Sequence, residues 1–358
     1  MNPKNRQYSL PYNGTDPEWY IQEVEKRKRN VDHVYCEMPL DKMISHIRAG
    51  FIGSDDNVEK YVGRYNYLLN CKKFLELSKG RFRRICPINA AYYLYKTKDE
   101  FLGFVKENYE AIVDYGIEGV ILSDYRMAEA LHTLLPELEI HTSCNCYQWN
   151  LTQMEIWREK FNVKVFNPPR EILRVPARLK EMHDAGFKLK CLVNEGCLVG
   201  CPSSINHGMQ AALSCLGTLS TCLQRGVGDV FRGCYILPRW QKHYDKYVDI
   251  YKIAGRGTGK MRPNYPFFAF DAYMKERNDI PLTELYAAGV VSGLRVRVPE
   301  EVARKITLDK VPDKLLVCEC RNCRSCGLCD KVMKSYVPKM YWDKFYPPKN
   351  DYSSVVGG

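Results

Sequence analysis

An α/β fold of the TIM-type (β/α)8 barrel class, with a small cysteine-rich C-terminal appendage, is what the sequence predicts. Short apolar, β-branched segments alternate with longer amphipathic ones through the first 270 residues, the pattern of a parallel sheet with crossover helices. Eight such segments can be counted, enough to close a ring. No GxGxxG follows the first strand, and an open doubly wound nucleotide-binding sheet would carry that fingerprint.

In chain order the expected strands are residues 7–12, 31–38, 83–88, 119–124, 139–144, 163–167, 188–194 and 248–254. Between them lie helical stretches at 17–29, 99–115, 126–135, 151–161 and 171–185. Asp114-Tyr115-Gly116 and Asp184-Ala185-Gly186 place a glycine where a helix stops before the next strand. After Arg256 the alternation weakens: 263–278 reads as a last helix, and 281–315 follows no single period. The expected organisation is a barrel over 1–275 and an extension over 276–358, with a cysteine-rich loop at 318–329 and a basic, aromatic tail.

A chain of 358 residues with 45% apolar content can bury a large core. Sixteen cysteines would suggest disulfides in a secreted protein, but the opening MNPKNRQYSLPYNGTD has no apolar signal-peptide region. A reducing cytoplasm is therefore expected, where clustered cysteines read first as ligands. No apolar run suits a bilayer span, so no membrane insertion is expected. The net charge of +11, bunched at Lys26-Arg27-Lys28-Arg29 and in KGRFRR, favours an anionic partner, and RNA is the natural candidate. A solvated basic helix face is the alternative.

The densest chemistry lies in LVNEGCLVGCPSSINH, residues 192–207. Cys197 and Cys201 sit in a turn punctuated by Gly196 and Gly200, a backbone that can turn two thiolates toward one ion. They follow the seventh expected strand, and strand C-termini form the active face of such barrels. Cys234, late in the connection to the eighth strand, can reach the same mouth, and Cys36, Cys86, Cys144 and Cys146 also lie near strand ends. Four thiolates suit a 4Fe-4S cluster, with Cys222 or Cys215 nearest as fourth ligand, and zinc is the rival metal. Cys71 and Cys191 read as small core hydrophobes.

Near the C-terminus Cys320, Cys323, Cys326 and Cys329 recur every third residue, following Cys318. That array resembles a zinc knuckle or a cluster loop, so a second cluster or a zinc ion is expected there, or a ligand lent to the barrel site. The lysines and aromatics beyond it suit either packing on the barrel or stacking on single-stranded nucleic acid. Asn194 and Glu195, at a strand end, are candidates for substrate contact or acid-base work. His207 is a candidate proton relay or ligand, or a histidine that merely bonds a neighbour. No Ser-His-Asp or His-Glu-x-x-His arrangement is legible, which argues against standard hydrolytic mechanisms.

VNEGCLVGCPSSINH, the later IYKIAGR, the opening YSLPYNGTDPEW and the stretch RYNYLLN together resemble the peptidase U32 family of collagenase-like proteins, in order along nearly the whole chain. The resemblance implies a TIM-type barrel and, in several members, a 4Fe-4S cluster serving oxygen-independent hydroxylation of tRNA, ribosomal RNA or a quinone ring. It carries the cluster ligands onto Cys197, Cys201 and Cys234, with SSINH standing where a basic residue is more usual. The expected function is RNA modification by hydroxylation, with a paralogous partner or an electron donor. The alternatives are a U32-type peptidase and a non-catalytic iron-sulfur or zinc module that binds RNA or a partner.

Overall fold

Strand register closes a ring. The computed structural model describes residues 5–40, 58–89, 97–201, 204, 226–256, 261–286, 290–318 and 323–345. Within them β1 (Gln7–Pro11), β2 (Val31–Tyr35), β3 (Arg84–Ile88), β4 (Gly119–Leu122), β5 (Glu139–Thr142), β6 (Lys190–Leu192) and β7 (Ile250–Lys252) pair in the order β5-β4-β3-β2-β1-β7-β6. All pairings are parallel. The two ends of that order meet across Val165 and Phe166, through parallel bridges from His141 to Val165 and from Phe166 to Leu189. The backbone there is bonded on both sides: Thr142 N donates to Val165 O at 3.0 Å, and Phe166 N to Lys188 O at 2.9 Å. Eight staves thus form a TIM-type barrel, one at each of the eight expected strand positions.

The helices follow the sequence signals with informative departures. Pro17–Lys26 starts where Asp16 Oδ1 accepts from Trp19 N at 2.7 Å, and it buries Tyr20, Ile21 and Val24 against the sheet. The helix expected over 99–115 is two, Lys98–Glu107 and Tyr109–Asp114. Asn108 separates them, its side chain donating to Phe104 O at 2.7 Å in competition with the helical ladder. The stretch expected at 171–185 divides at Pro176 into a 3-10 turn, Arg170–Arg174, and a helix, Pro176–Asp184. Val58–Leu77, twenty residues long, was not read from the sequence, because its apolar residues form no single stripe.

Alternation assigns the two faces of each strand. Tyr8 and Tyr251 point outward into the aromatic layer beneath the helices, with ring centroids 5.7 Å apart. Their neighbours Ser9 and Lys252, paired in register, therefore point into the ring. Inside, Tyr35, Ile85 and Ile121 form a small apolar cluster separate from the main core. The other inward positions include Ser9, His33, His141 and Lys190, all fully buried. A barrel interior is ordinarily filled by branched aliphatic residues, so these polar side chains need internal partners.

They have them. His33 Nδ1 lies 2.6 Å from Asp32 Oδ2, and its Nε2 lies 2.7 Å from Ser9 Oγ. His141 Nε2 lies 2.9 Å from Glu139 Oε1, and its Nδ1 lies 2.6 Å from Lys190 Nζ. Arg83 joins the two carboxylates at the foot, one nitrogen on Asp32 at 3.0 Å and another on Glu139. A Ser-His-Asp chain does therefore exist, contrary to the sequence reading. It escaped notice because Asp32 and His33 are adjacent and Ser9 lies on another strand.

The C-terminal segment docks on the barrel. Helix Leu328–Tyr336 lies on the 3-10 turn Val227–Arg232, with Gly228 N donating to Asp330 Oδ1 at 2.9 Å and Arg232 paired with Asp330 at 2.6 Å. A Cβ on Gly228 would overlap the backbone of Cys329 and Asp330, so only glycine permits this approach. Cys329 and Met333 of this helix are buried, as are Val337 and Phe345 beyond it. Among the described residues no helix is long and apolar enough to cross a membrane.

Candidate functional site

A cavity of about 460 Å³ opens at the C-terminal ends of the strands. Its walls come from the ends of five staves and the residues that follow them: Tyr35 at the end of β2, Asn89 after β3, Ser143 to Asn145 after β5, Leu192, Asn194 and Glu195 at β6, and Lys252 and Ala254 to Arg256 at β7. Tyr147, beside this rim, holds a left-handed backbone at φ 49°, the kind of conformation a bulky residue adopts only when its surroundings impose it.

The lining is cationic. Arg170, Lys252, Arg256, Arg262 and Arg295 face one carboxylate, Glu195, which is already taken: Arg170 Nε donates to Glu195 Oε2 at 2.8 Å. Burial works against the Glu195 charge, but the Arg170 guanidinium outweighs it and holds the carboxyl below its usual range. Burial also pushes Lys252 down to about 8, with the Arg256 charge adding to the effect. Its Nζ lies 4.4 Å from the Tyr35 ring centroid. Arg262 is lowered by burial and by the like charge of Arg295, and its Nη1 is buried without a partner among the described residues.

Asn194 is fully committed. Its amide nitrogen donates to Tyr265 OH at 2.8 Å and to Ala254 O at 3.2 Å, and its oxygen accepts from Ala254 N, so it ties the ends of β6 and β7 together. Glu195 Oε1 accepts from the Cys197 thiol at 3.3 Å.

Cys197 and Cys234 meet on adjoining backbone: Leu198 bridges Gly233, and Cys234 N donates to Cys197 O at 2.7 Å. Arg174 pins that strand by donating to Gly233 O from Nε at 3.1 Å and from Nη2 at 2.6 Å. Cys201 follows at the Gly200 turn, where φ is 64°. Burial raises the thiol pKa of both Cys197 and Cys234. Three thiols on one loop pair match a thiolate-held metal or cluster in donor type. Among the described residues, however, no three His, Cys, Asp or Glu side chains form a metal site. Cys215, Cys222, His207 and Cys320 lie outside the described residues. Cys323 opens the short helix Cys323–Cys326, Cys326 is exposed, and Cys329 is buried in the docking contact.

Sequence reasoning missed the five cations as a set. Lys252 and Arg256 stood in the quoted IYKIAGR, but Arg170, Arg262 and Arg295 come from separate connections, and only the fold gathers them. The usable signal was a lysine at an inward register position of a barrel strand.

The family model for peptidase family U32 matches residues 88–192, from the end of β3 through β6. A curated relative, the "Uncharacterized protease MJ1657" of Methanocaldococcus jannaschii, is 27% identical over 198 residues, which is 51% of this chain and 57% of that protein's length. Among solved structures, that of the U32 peptidase Mk0906 superposes with a TM-score of 0.43 at 9% identity, over 70% of this chain and 92% of that one. The homocysteine methyltransferase MmuM of Escherichia coli, in its apo form, superposes with a TM-score of 0.34 at 11% identity, over 70% and 90%. The resemblance raised by the sequence thus has a family-model match over residues 88–192, and that matched segment supplies the staves that carry Ser143, Cys144, Arg170 and Leu192 to the cavity wall.

Proposed function

We propose that this barrel is an enzyme that binds an anionic substrate, RNA, in the mouth formed by Arg170, Lys252, Arg256, Arg262 and Arg295, and modifies it by hydroxylation without molecular oxygen. One observation carries the substrate class: among the described residues five cations line the cavity, and the one carboxylate that lines it is already paired with Arg170. Guanidiniums crowded in a partly desolvated cavity repel one another until an anion enters between them, and phosphodiesters are anions that guanidiniums bind bidentately. The chain's net charge of +11 steers such a partner from a distance.

The reaction class rests on the donor type of Cys197, Cys201 and Cys234, which lie on the loops that follow β6 and precede β7, and on the family resemblance. These residues would hold an iron-sulfur cluster, which when bound supplies one-electron redox chemistry. The chain's own groups do the rest. The Asn194 clamp fixes the ends of β6 and β7, Arg174 fixes the Cys234 strand, and the Arg170–Glu195 pair orients the charge nearest Cys197.

The test is anaerobic purification with iron and acid-labile sulfide analysis of wild type and Cys197→Ser, alongside RNA retention measured across a salt series. Sulfide-bearing iron lost in Cys197→Ser, with retention that falls steeply with salt, supports the reading. Zinc without sulfide removes the redox chemistry, and salt-independent or absent retention removes RNA.

A peptidase is the second reading, favoured by the Ser9–His33–Asp32 chain. Against it, Ser9 and His33 are fully buried in the ring, where a peptide bond has no access. Peptide cleavage abolished by Ser9→Ala would establish it.

A further inference from the structure

We propose that Lys252 is a nucleophilic amine and that the cavity captures a phosphorylated aldehyde, with the guanidiniums of Arg262 and Arg295 holding the phosphate while Lys252 Nζ forms an imine with the carbonyl. This rests on the anion-binding part of the proposed function and is independent of its RNA and cluster parts.

The geometry comes first. Lys252 ends β7 on the inward face, is buried, and lines the cavity. Among the described residues it has neither a hydrogen-bond nor an ion-pair partner, and the cavity's carboxylate is held by Arg170. A structural lysine at such a position would be neutralised by an acid. Its surroundings are mixed instead: Arg256 on the same segment and Arg170 disfavour a second cation, while Cys144 and Glu195 act the other way. The Tyr35 ring face opposes this by favouring the ammonium, an effect on the order of 1 kcal/mol. Burial dominates: with the pKa near 8, about a quarter of the amine is unprotonated at pH 7.5, against about one part in a thousand for an ordinary lysine.

The second component is the anion subsite. Arg262 and Arg295 line the same cavity, Arg262 is depressed by the neighbouring guanidinium, and its Nη1 is a buried donor without an acceptor among the described residues. Two guanidiniums and one unfilled donor define a place for a multiply charged, multi-acceptor group, which is what a phosphate monoester offers.

The step balances without a redox partner. The nitrogen lone pair adds to the aldehyde carbon, forming C–N; the carbonyl oxygen then leaves as water, taking up protons from the amine and the cavity solvent and leaving C=N. Hydrolysis reverses it.

The experiment traps the imine in the full-length wild-type protein. Glycolaldehyde phosphate or unphosphorylated glycolaldehyde is added with cyanoborohydride, whose hydride reduces C=N to a stable secondary amine, and modified lysines are located by peptide mass spectrometry. Lys252 should be modified at least tenfold faster than the exposed Lys180 by the phosphorylated aldehyde, with the rate rising through pH 8. The preference over glycolaldehyde should collapse when inorganic phosphate competes or in the R262M/R295M double variant. Modification of Lys252 no faster than Lys180 overturns the proposal, as does equal reactivity toward both aldehydes. Because the wild type is mapped directly, no substitution at Lys252 has to fold. RNA retention assayed on the same samples separates the readings: loss of retention with selective trapping intact overturns RNA alone, and retention without selective trapping overturns the imine alone.

Discussion

Lys190 Nζ lies 2.6 Å from His141 Nδ1 inside the barrel, and neither side chain reaches solvent. Burial drives the pKa of both groups well below their ordinary values; the Lys190 charge adds to the effect on His141, and the Lys252 charge adds to the effect on Lys190. The pair is therefore held with few protons. Glu139 sets the tautomer by accepting from Nε2, so Nδ1 is left to accept from the amine.

Replacing Lys190 with Met should leave His141 Nδ1 without its donor and reduce stability by about 1–3 kcal/mol in urea denaturation. An unchanged urea midpoint in Lys190→Met would show that the His141 contact contributes no stability.

Acid should unfold this barrel early. His33 is pushed down to about 3, first by burial and then by the charge of Lys190, and His141 is lowered in the same way. Both are neutral in the fold but take up a proton in the unfolded chain below about pH 6.5. Their contribution is thus fully present above 6.5 and is lost as pH falls from there toward 3; His33 alone should forfeit about 3 kcal/mol by pH 4.5. Asp32 acts with the same sign at lower pH, because His33 and Arg83 outweigh its burial. Melting temperature followed from pH 7.5 to 4 should fall steadily, and a flat profile would contradict neutral core histidines.

Glu195→Gln should release Arg170 into the cavity. The cavity then carries its five cations with no carboxylate, so affinity for inorganic polyphosphate should rise roughly 3- to 10-fold, with a steeper salt dependence. Arg170→Met does the reverse, leaving the Glu195 charge poorly compensated, at about 1–3 kcal/mol of stability and with weaker polyphosphate binding. Isothermal titration of both variants against wild type decides this; equal affinities would mean that Glu195 does not govern the cavity's charge.

Gly228→Ala should lift helix Leu328–Tyr336 off the barrel. The added methyl group meets backbone, which cannot swing aside, so a loss of roughly 1–3 kcal/mol in docking is expected. Proteolysis near residue 327 should accelerate while the barrel core resists; unchanged cleavage kinetics would show that the helix tolerates the displacement.

The barrel was legible because parallel strands covered on both faces read as apolar runs: GVIL marks β4 directly. The polar interior was not legible, since His33, His141 and Lys190 alternate with apolar neighbours in the way a solvent-facing residue would. Only ring closure turns that face inward. Cys197 and Cys201 were legible as a pair because Gly196 and Gly200 announce their turn, whereas Cys234 was legible only by its place late in the connection to the last strand. The cavity's cations were not, since five positions spread from Arg170 to Arg295 share no spacing.

The bridge through Val165 and Phe166 bears on solubility. An unclosed sheet ends in two rows of unmatched amides and carbonyls that can recruit strands from another molecule. Here β5 and β6 each spend that row on this two-residue stave. So short a closure guards both sheet edges, and anything that prises it open offers two rows of unmatched amides and carbonyls to the strands of another molecule.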